Sequence, residues 1–287
     1  MGSIINLNPK TVNKVARAML WLVGLFLVLL LFVLLGYILY KGLPMLAPDF
    51  IFGKSSDIRA GGGVGAQLFN TFYILVISIT ISLIVGLGAA IYLSEYANQN
   101  SKMTKFIRLC TESLATVPSI VLGLFGMIVF VDFLGLGFSI LGGALALSLL
   151  NLPLLVRVIE DALRAVPQTY REASYGLGAT KWQTIRKVVI PTASGSIITG
   201  VMLASGRAIG ESAILIFTAG TTVSRHLPDF NLLASGETLA VHLWYVMGIG
   251  LVPDRIQIAD GISALLILVI LIINLGFLAL KKKMGGI

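Results

Sequence analysis

The chain contains a series of uninterrupted apolar runs, each about 20 residues long. As a helix, such a run crosses the ~30 Å hydrocarbon core of a bilayer, where the backbone must satisfy its own hydrogen bonds. Only 12% of the 287 residues are charged, too few to cover a soluble domain of this size. We therefore expect an all-α integral membrane protein. Five runs are clear: Met19–Tyr40, Leu68–Leu93, Ser113–Val131, Phe133–Val156 and Ile262–Leu280.

A sixth span, residues 190–219, is predicted only if two charges are tolerated inside it. The stretch "SGRAIGESAILIF" carries Arg207 and Glu211. Residues four apart share a helix face, so these two side chains could form an intrahelical ion pair. Either charge alone would cost at least ~2.5–3.5 kcal/mol near the bilayer centre. Charged residues at membrane depth usually serve function, and the guanidinium of Arg207 offers a forked fit to the oxygens of an oxyanion. A structural pair that fixes helix register is the alternative.

The stretch 232–252 is apolar enough to suggest a seventh span. It contains Glu237 and His242, and an odd number of spans would place the basic C-terminal tail on the outer side. We interpret it as an external or re-entrant segment. Neither His226 nor His242 lies within a metal-ligand pattern.

The distribution of Lys and Arg supports six spans with both termini in the cytoplasm, since inner segments of membrane proteins are enriched in these residues. It also accounts for the net charge of +8 without a nucleic-acid partner. The outer segments hold Lys41, Lys54, Arg59, Arg225 and Arg255. The inner segments hold fifteen of the 21 basic residues: Lys10, Lys14, Arg17, Lys102, Lys105, Arg108, Arg157, Arg164, Arg171, Lys181, Arg186, Lys187, Lys281, Lys282 and Lys283.

These patterns divide the chain into four parts. Residues 1–18 form a cytoplasmic N-terminus, and residues 19–40 form a membrane anchor that is too long for a signal-peptide core. Residues 68–280 form the membrane core, which includes a large inner loop at 157–189. Residues 281–287 form a basic cytoplasmic tail.

The inner loop 157–189 predicts two short amphipathic helices on either side of "GLG" at 176–178. A glycine there can adopt the positive φ of a sharp turn, and Thr180 is a suitable N-cap for the second helix. Pro191 is placed where the next membrane helix should begin. We expect four exposed side chains that dock to another protein or lie among lipid headgroups: Ala173, Tyr175, Leu177 and Trp182.

Catalytic and nucleotide-binding motifs are missing from the sequence. There is no G-x-x-x-x-G-K-[ST] and no H-E-x-x-H, so we expect neither ATP hydrolysis nor metal catalysis by this chain. The single cysteine, Cys110, allows no intramolecular disulfide.

The inner loop resembles the coupling loop of ABC-importer permeases, which reads E-A-A, three residues, G, nine residues, I-x-L-P. Here Glu172, Ala173 and Ser174 are followed by Gly178 and by "VVIP" at 188–191. Ser174, Val188 and Ile190 are mild departures. The resemblance implies that the loop inserts into a groove of a cytoplasmic ATPase subunit. Glu172 and Gly178 would shape the coupling helix, and Ala173 and Ser174 would lie at the contact.

From about residue 61 onward the chain is similar to phosphate-importer permeases of the PstA type. The similarity rests on the segments "GGGVGAQLFNTFYIL", "AAIYLSEYA", "LATVPSIVLGLFG", "LNLPLLVRVIEDALRAVPQTYREASYGLGATKWQTI" and "GRAIGESA". The last segment is the most discriminating, because permeases for sugars, amino acids or peptides are not expected to carry it. Members of the family usually have threonine after the glutamate, and Ser212 keeps that hydroxyl.

This resemblance implies a six-span permease of the type I importer fold that forms half of a pathway for inorganic phosphate. Arg207, Glu211 and Ser212 would line the path. The implied partners are a second permease of the PstC type, two copies of an ATPase subunit that carry ATP and Mg, an external phosphate-binding protein and membrane lipid. The implied location is a bacterial or archaeal inner membrane. Alternatives are a permease for molybdate or sulfate, or an ion-coupled secondary carrier, which would be expected to show internal repeats.

Overall fold

The computed structural model describes residues 9–56, 60–222 and 228–284, and these ranges contain helices and no strand. The predicted outer residues Arg59 and Arg225, and His226, lie outside the described residues. The helices are α1 (Pro9–Gly42), α2 (Pro48–Phe52), α3 (Gly65–Ile91), α4 (Lys102–Thr116), α5 (Ser119–Gly126), α6 (Ile140–Arg164), α7 (Gln168–Gly176), α8 (Lys181–Thr184), α9 (Ile190–Ile209), α10 (Ala213–Thr218), α11 (Leu239–Gly248) and α12 (Arg255–Met284).

Turns of other helix types extend several of these elements. A 3-10 turn, Leu43–Met45, follows α1. The π-helical segments Tyr92–Tyr96 and Met127–Phe133 lengthen α3 and α5. A third π segment, Ile185–Val189, joins α8 to α9 without a break. It lies directly before Pro191, whose missing N–H and ring would disturb regular α-helical bonding to the preceding turn. Pro191 lies in the first turn of α9, as predicted, but the helical stretch that contains α9 starts earlier, at Lys181.

By length and composition, five helical stretches in the described residues can cross a membrane, and the number rises to six when the bent pair of α4 and α5 is counted as one span. This agrees with the six predicted spans, but the third one is not straight. Residues 102–116 and 119–133 meet at 101°. The cause is Pro118, which disfavours helical backbone at the residue before it, and Val117 is extended at φ −66°, ψ 129°.

The fourth span also differs from its predicted bounds of Phe133–Val156. Gly135 and Gly137 have positive φ, which ends the preceding helical segment, and the Ser139 hydroxyl caps α6 by accepting a bond from Gly142 N at 3.1 Å. At the inner end α6 continues to Arg164, because residues 157–164 keep an apolar face that packs against the other helices. The non-helical inner connection is therefore shorter than the predicted loop.

The segment 232–252 contains only the ten-residue helix α11. Ten residues rise about 15 Å, half of what a span needs, so α11 is too short to be a seventh crossing. It packs against α3 and α12.

Helix α6 is the centre of the bundle, in contact with α3, α4, α5, α9 and α10. One apolar cluster lies around Leu147, Ile214 and Ile262, and a second surrounds Leu155, Ile159 and Ile185 towards the inner loop. Helix α1 lies against α12 with its apolar surface exposed, as expected of an anchor in lipid. Ser78 and Ser82 on α3 are buried, and Ser82 Oγ bonds to the Ser148 carbonyl of α6 at 3.2 Å, as expected for close helix packing.

Candidate anion path and coupling element

Arg207 lies in the last turn of α9, and its side chain is exposed on this single chain. Helix α9 ends at Ile209, and α10 begins at Ala213, so residues 210–212 form a break in the predicted sixth span. Sixteen residues separate Arg207 from Pro191, a helical rise of about 24 Å. A membrane boundary near Pro191, as the sequence predicts, would place the break deep in the membrane or in its outer half.

The structure contains no ion pair between Arg207 and Glu211, in contrast to the predicted intrahelical pair. Gly210 ends α9 before Glu211 is reached, so the two residues do not share a helix face. Glu211 Oε1 instead accepts bonds from Ala213 N at 3.1 Å and Ile214 N at 3.4 Å. These N–H groups at the start of α10 have no intrahelical partner, which makes them natural donors to a carboxylate.

As a result, Arg207 has no ion pair and no side-chain hydrogen bond to any described residue. Ser212 occupies the N-cap position of α10 but makes no capping bond with its hydroxyl. The break thus brings together an unneutralised guanidinium, a carboxylate engaged with backbone and a free hydroxyl. These are the three residues that the resemblance assigns to the substrate path.

The inner connection folds as two short helices, as predicted. We call α7, the turn after it and α8 (residues 168–184) the coupling element. Gly178 has φ +80°, which confirms the positive φ expected there. Thr180 is confirmed as the N-cap of α8: its hydroxyl accepts from Gln183 N, and Gln183 Oε1 accepts from Thr180 N at 2.8 Å.

The coupling element has an exposed apolar surface. Leu177 is 90% exposed, and Tyr175 and Trp182 are 41% and 52% exposed. Glu172 and Ala173 are exposed too, whereas Ser174 is half-buried, with its hydroxyl 2.9 Å from Thr184 Oγ1 across the turn. The predicted exposure of Ala173, Tyr175, Leu177 and Trp182 is confirmed.

Arg171, next to this surface, is buried, which the sequence did not predict. Its Nη2 lies 2.7 Å from Glu95 Oε1 in a salt bridge in which both side chains are at most 10% exposed. The same guanidinium donates to the carbonyls of Leu163 and Val166, at 2.8 and 2.7 Å. In the sequence, Glu95 is notable only as a charged residue directly after the apolar run of α3. No nearby residue indicates that Arg171 is its partner.

A second inner cluster surrounds Glu160 on α6, whose Oε1 lies 2.7 Å from Arg108 and 2.8 Å from Arg164. The cluster borders a cavity of about 220 Å³ between α4 and α6. Arg157, also on this cavity, lies 3.4 Å from Glu112, but both side chains are mostly exposed, so this pair contributes little.

A third polar cluster lies where α11 packs on α3. His242 Nδ1 is 3.0 Å from Glu237 Oε2, and Gln67 Nε2 donates to the same oxygen at 2.9 Å. All three side chains are buried. The sequence suggested an ordinary loop histidine at His242 and did not reveal this cluster, because Gln67 lies 170 residues from Glu237, although Glu237 and His242 are neighbours in sequence.

The sequence matches the model of the family described as "Binding-protein-dependent transport system inner membrane component" over residues 82–283. It is 46% identical over 279 residues to "Probable ABC transporter permease protein YqgI" of Bacillus subtilis (strain 168), covering 94% of this chain and 95% of that protein. It is 33% identical over 230 residues to YqgH of the same strain, covering 77% and 73%.

The phosphate-type relatives match a shorter region. "Phosphate transport system permease protein PstA" of Xylella fastidiosa (strain 9a5c) is 38% identical over 179 residues, which is 62% of each chain.

Among solved structures, the fold is similar to a chain of the inward-facing MetNI methionine ABC transporter, with a TM-score of 0.64, 18% identity and coverage of 77% and 95%. It is also similar to a chain of a bacterial ABC transporter that imports alginate, with a TM-score of 0.64, 13% identity and coverage of 96% and 99%. At this identity the structures establish the fold alone.

Members of this family are non-catalytic membrane subunits that act with a partner permease, separate ATPase subunits and a binding protein. That assignment leaves no support for an ion-coupled secondary carrier. The chain belongs to the binding-protein-dependent transport system inner membrane components, as a multi-pass permease subunit of an ABC importer with the type I importer fold.

Proposed function

We propose that this permease forms half of the membrane pathway for inorganic phosphate, with Arg207, Glu211 and Ser212 at the anion. The observation that carries the proposal is the free guanidinium of Arg207 at the break between α9 and α10. A cation at membrane depth is costly unless it faces a water-filled passage or a counter-ion. A guanidinium with its donors free suits a phosphate, which it can bind through two parallel hydrogen bonds.

The similarity to PstA supports the choice of phosphate, because the matched 179 residues belong to a protein named for phosphate transport.

The arrangement of Glu211 supports the role of Arg207. A carboxylate that accepts bonds from backbone N–H groups is not neutralising the arginine, yet it lies four residues away and can compete with the anion when the path rearranges. Such competition would keep phosphate from being held too tightly.

The proposed assembly contains this chain, a second permease of the PstC type, two ATPase subunits that bind ATP and Mg, and an external phosphate-binding protein. The resemblance of this chain to two different permeases of one Bacillus subtilis strain supports a pair of unlike permeases. The exposed Leu177 and Trp182 would fill the ATPase groove together with Ala173, next to Glu172 and Ser174. In this proposal both termini and the coupling element face the cytoplasm of a bacterial or archaeal inner membrane.

The test is uptake of labelled phosphate by cells that lack other phosphate carriers and express the whole transporter. We expect ATP-dependent uptake that excess unlabelled phosphate suppresses and that excess sulfate or molybdate does not. Uptake of labelled sulfate or molybdate in place of phosphate would assign the same path to another oxyanion and contradict the proposal. Cells that express the transporter without this chain are the control.

A further inference from the structure

We propose that Glu95 and Arg171 form a joint that transmits movement of the coupling element to α3 and α6. This inference rests on the coupling role proposed above, and it assigns a positioning function to two residues that lie outside the exposed contact surface. Arg171 directly precedes Glu172 on α7, so it shares the helix that would meet the ATPase.

Three segments of the chain converge on the guanidinium of Arg171. Arg171 bonds to the Glu95 carboxylate in the π segment that ends α3, to the Leu163 carbonyl of α6 and to the Val166 carbonyl just beyond it. The Leu163 carbonyl belongs to the last turn of α6 and the Val166 carbonyl lies two residues past its end, and Arg171 donates to both while it pairs with the carboxylate. Helix α7 is therefore fixed to the inner ends of two spanning helices by one buried side chain.

Helix α8 is attached at the same place as α7. Lys181, the first residue of α8, donates to the backbone carbonyl of Glu95, and its Nζ lies 4.5 Å from the centre of the Tyr96 ring. Helix α8 leads into α9 through the unbroken stretch Lys181–Ile209. Both helices of the coupling element thus hold residues 95–96, and a push on the element displaces the inner ends of α3, α6 and α9 together.

A pair that only stabilises the fold must be distinguished from a joint. Glu95→Gln keeps the shape and an acceptor oxygen but removes the negative charge that holds Arg171. Glu160→Gln is the matched control, because Glu160 is also a buried inner carboxylate bound to arginines, Arg108 and Arg164. Those contacts join α4 to α6 and do not involve α7.

The experiment uses the whole complex in lipid vesicles and measures phosphate taken up per ATP hydrolysed. We expect Glu95→Gln to assemble and hydrolyse ATP but to lower this ratio about fivefold or more, within the usual range of coupling between sites. Glu160→Gln should keep the wild-type ratio. Glu95→Gln could instead lower the amount of assembled complex, ATP hydrolysis and phosphate uptake by the same factor and leave the ratio of phosphate to ATP unchanged. In that case the pair only stabilises the fold, and the proposal fails. An equal loss of ratio in both variants also overturns it.

If the wild-type complex transports no phosphate, the proposed substrate is wrong, but the proposed joint between Glu95 and Arg171 is not yet tested. A second measurement then tests the joint without using transport. Spin labels are placed on the π segment that ends α3 and on α7 through Tyr92→Cys and Thr169→Cys, both exposed positions, with Cys110→Ser to remove the sole native cysteine. The label distance should stay constant when ATP binds, and it should shift or broaden with ATP when Glu95→Gln is added. A distance that already changes with the joint intact contradicts the proposal.

Discussion

At the scale of single residues, the turn of the coupling element depends on Gly178. Its φ of +80° is open to glycine and tolerated by asparagine, but proline is fixed near −65° and also lacks the N–H that Gly178 donates to the Tyr175 carbonyl at 2.9 Å. We expect Gly178→Pro to insert into the membrane normally and to lose most of the ATPase subunit on co-purification. Gly178→Asn, at the same site, should retain it. Equal ATPase recovery with both variants would mean that the turn does not shape the docking surface.

Residue-scale expectations were right where the local chemistry decides the outcome. A glycine in a turn and a threonine before a helix act through their own backbone neighbours, so Gly178 and Thr180 were predictable. The pairing of Arg207 with Glu211 was wrong, because it assumed that a helix continues through Gly210. The contacts of Arg171 with Glu95 and of the Glu237–His242 pair with Gln67 could not be predicted, since the sequence does not indicate which distant side chain reaches them.

At the scale of elements, the capping box at the start of α8 should stabilise the first turn of the long helix that ends at Ile209. Thr180→Ala removes the hydroxyl that accepts from Gln183 N and should cost about 1 kcal/mol locally. Backbone amides of residues 181–184 should then exchange hydrogen about fivefold faster. Thr169→Ala, at an exposed threonine of α7, is the control and should leave their exchange unchanged. No change with Thr180→Ala would contradict a stabilising cap.

The contact between α11 and α3 should depend on the buried Glu237–His242 pair. His242→Leu leaves the Glu237 carboxylate buried with Gln67 as its remaining side-chain partner, and we expect a loss of about 3 kcal/mol in stability. The midpoint of thermal unfolding of the purified protein should fall. Adding Glu237→Gln removes the stranded charge and should recover much of that loss. An unfolding midpoint that His242→Leu leaves unchanged would show that the pair contributes nothing to the packing of α11.

Helix existence was more predictable than helix bounds. Long apolar runs identify spanning helices because the bilayer imposes both length and composition. The ends of α6 and α9 depend on packing and on single residues such as Gly137 and Gly210, which the runs do not reveal. The 101° bend before α5 had a visible cause in Pro118, but a proline does not by itself define the angle between the two helices.

At the scale of the whole molecule, the account requires both termini on one side of the membrane and α11 on the other. A reporter fused after Lys283 should therefore report a cytoplasmic position, and one inserted near Ser235 should report an external one. The charge distribution is the physical reason, since fifteen basic residues lie in the segments assigned to the inside. A C-terminal reporter found outside would mean that the number of crossings is odd and that 232–252 spans after all.

Labelled-phosphate uptake by Arg207 variants, with complex assembly checked on the same samples, shows whether Arg207 binds the anion. Arg207→Gln should assemble and lose nearly all uptake, and Arg207→Lys should keep part of it, because the charge survives without the forked geometry. Arg17→Gln, at an exposed arginine of α1, is the matched control and should transport normally. Since Glu211 is held by backbone N–H groups, adding Glu211→Gln to Arg207→Gln should not restore uptake. Near-normal uptake by Arg207→Gln, or by the double variant, would contradict the account.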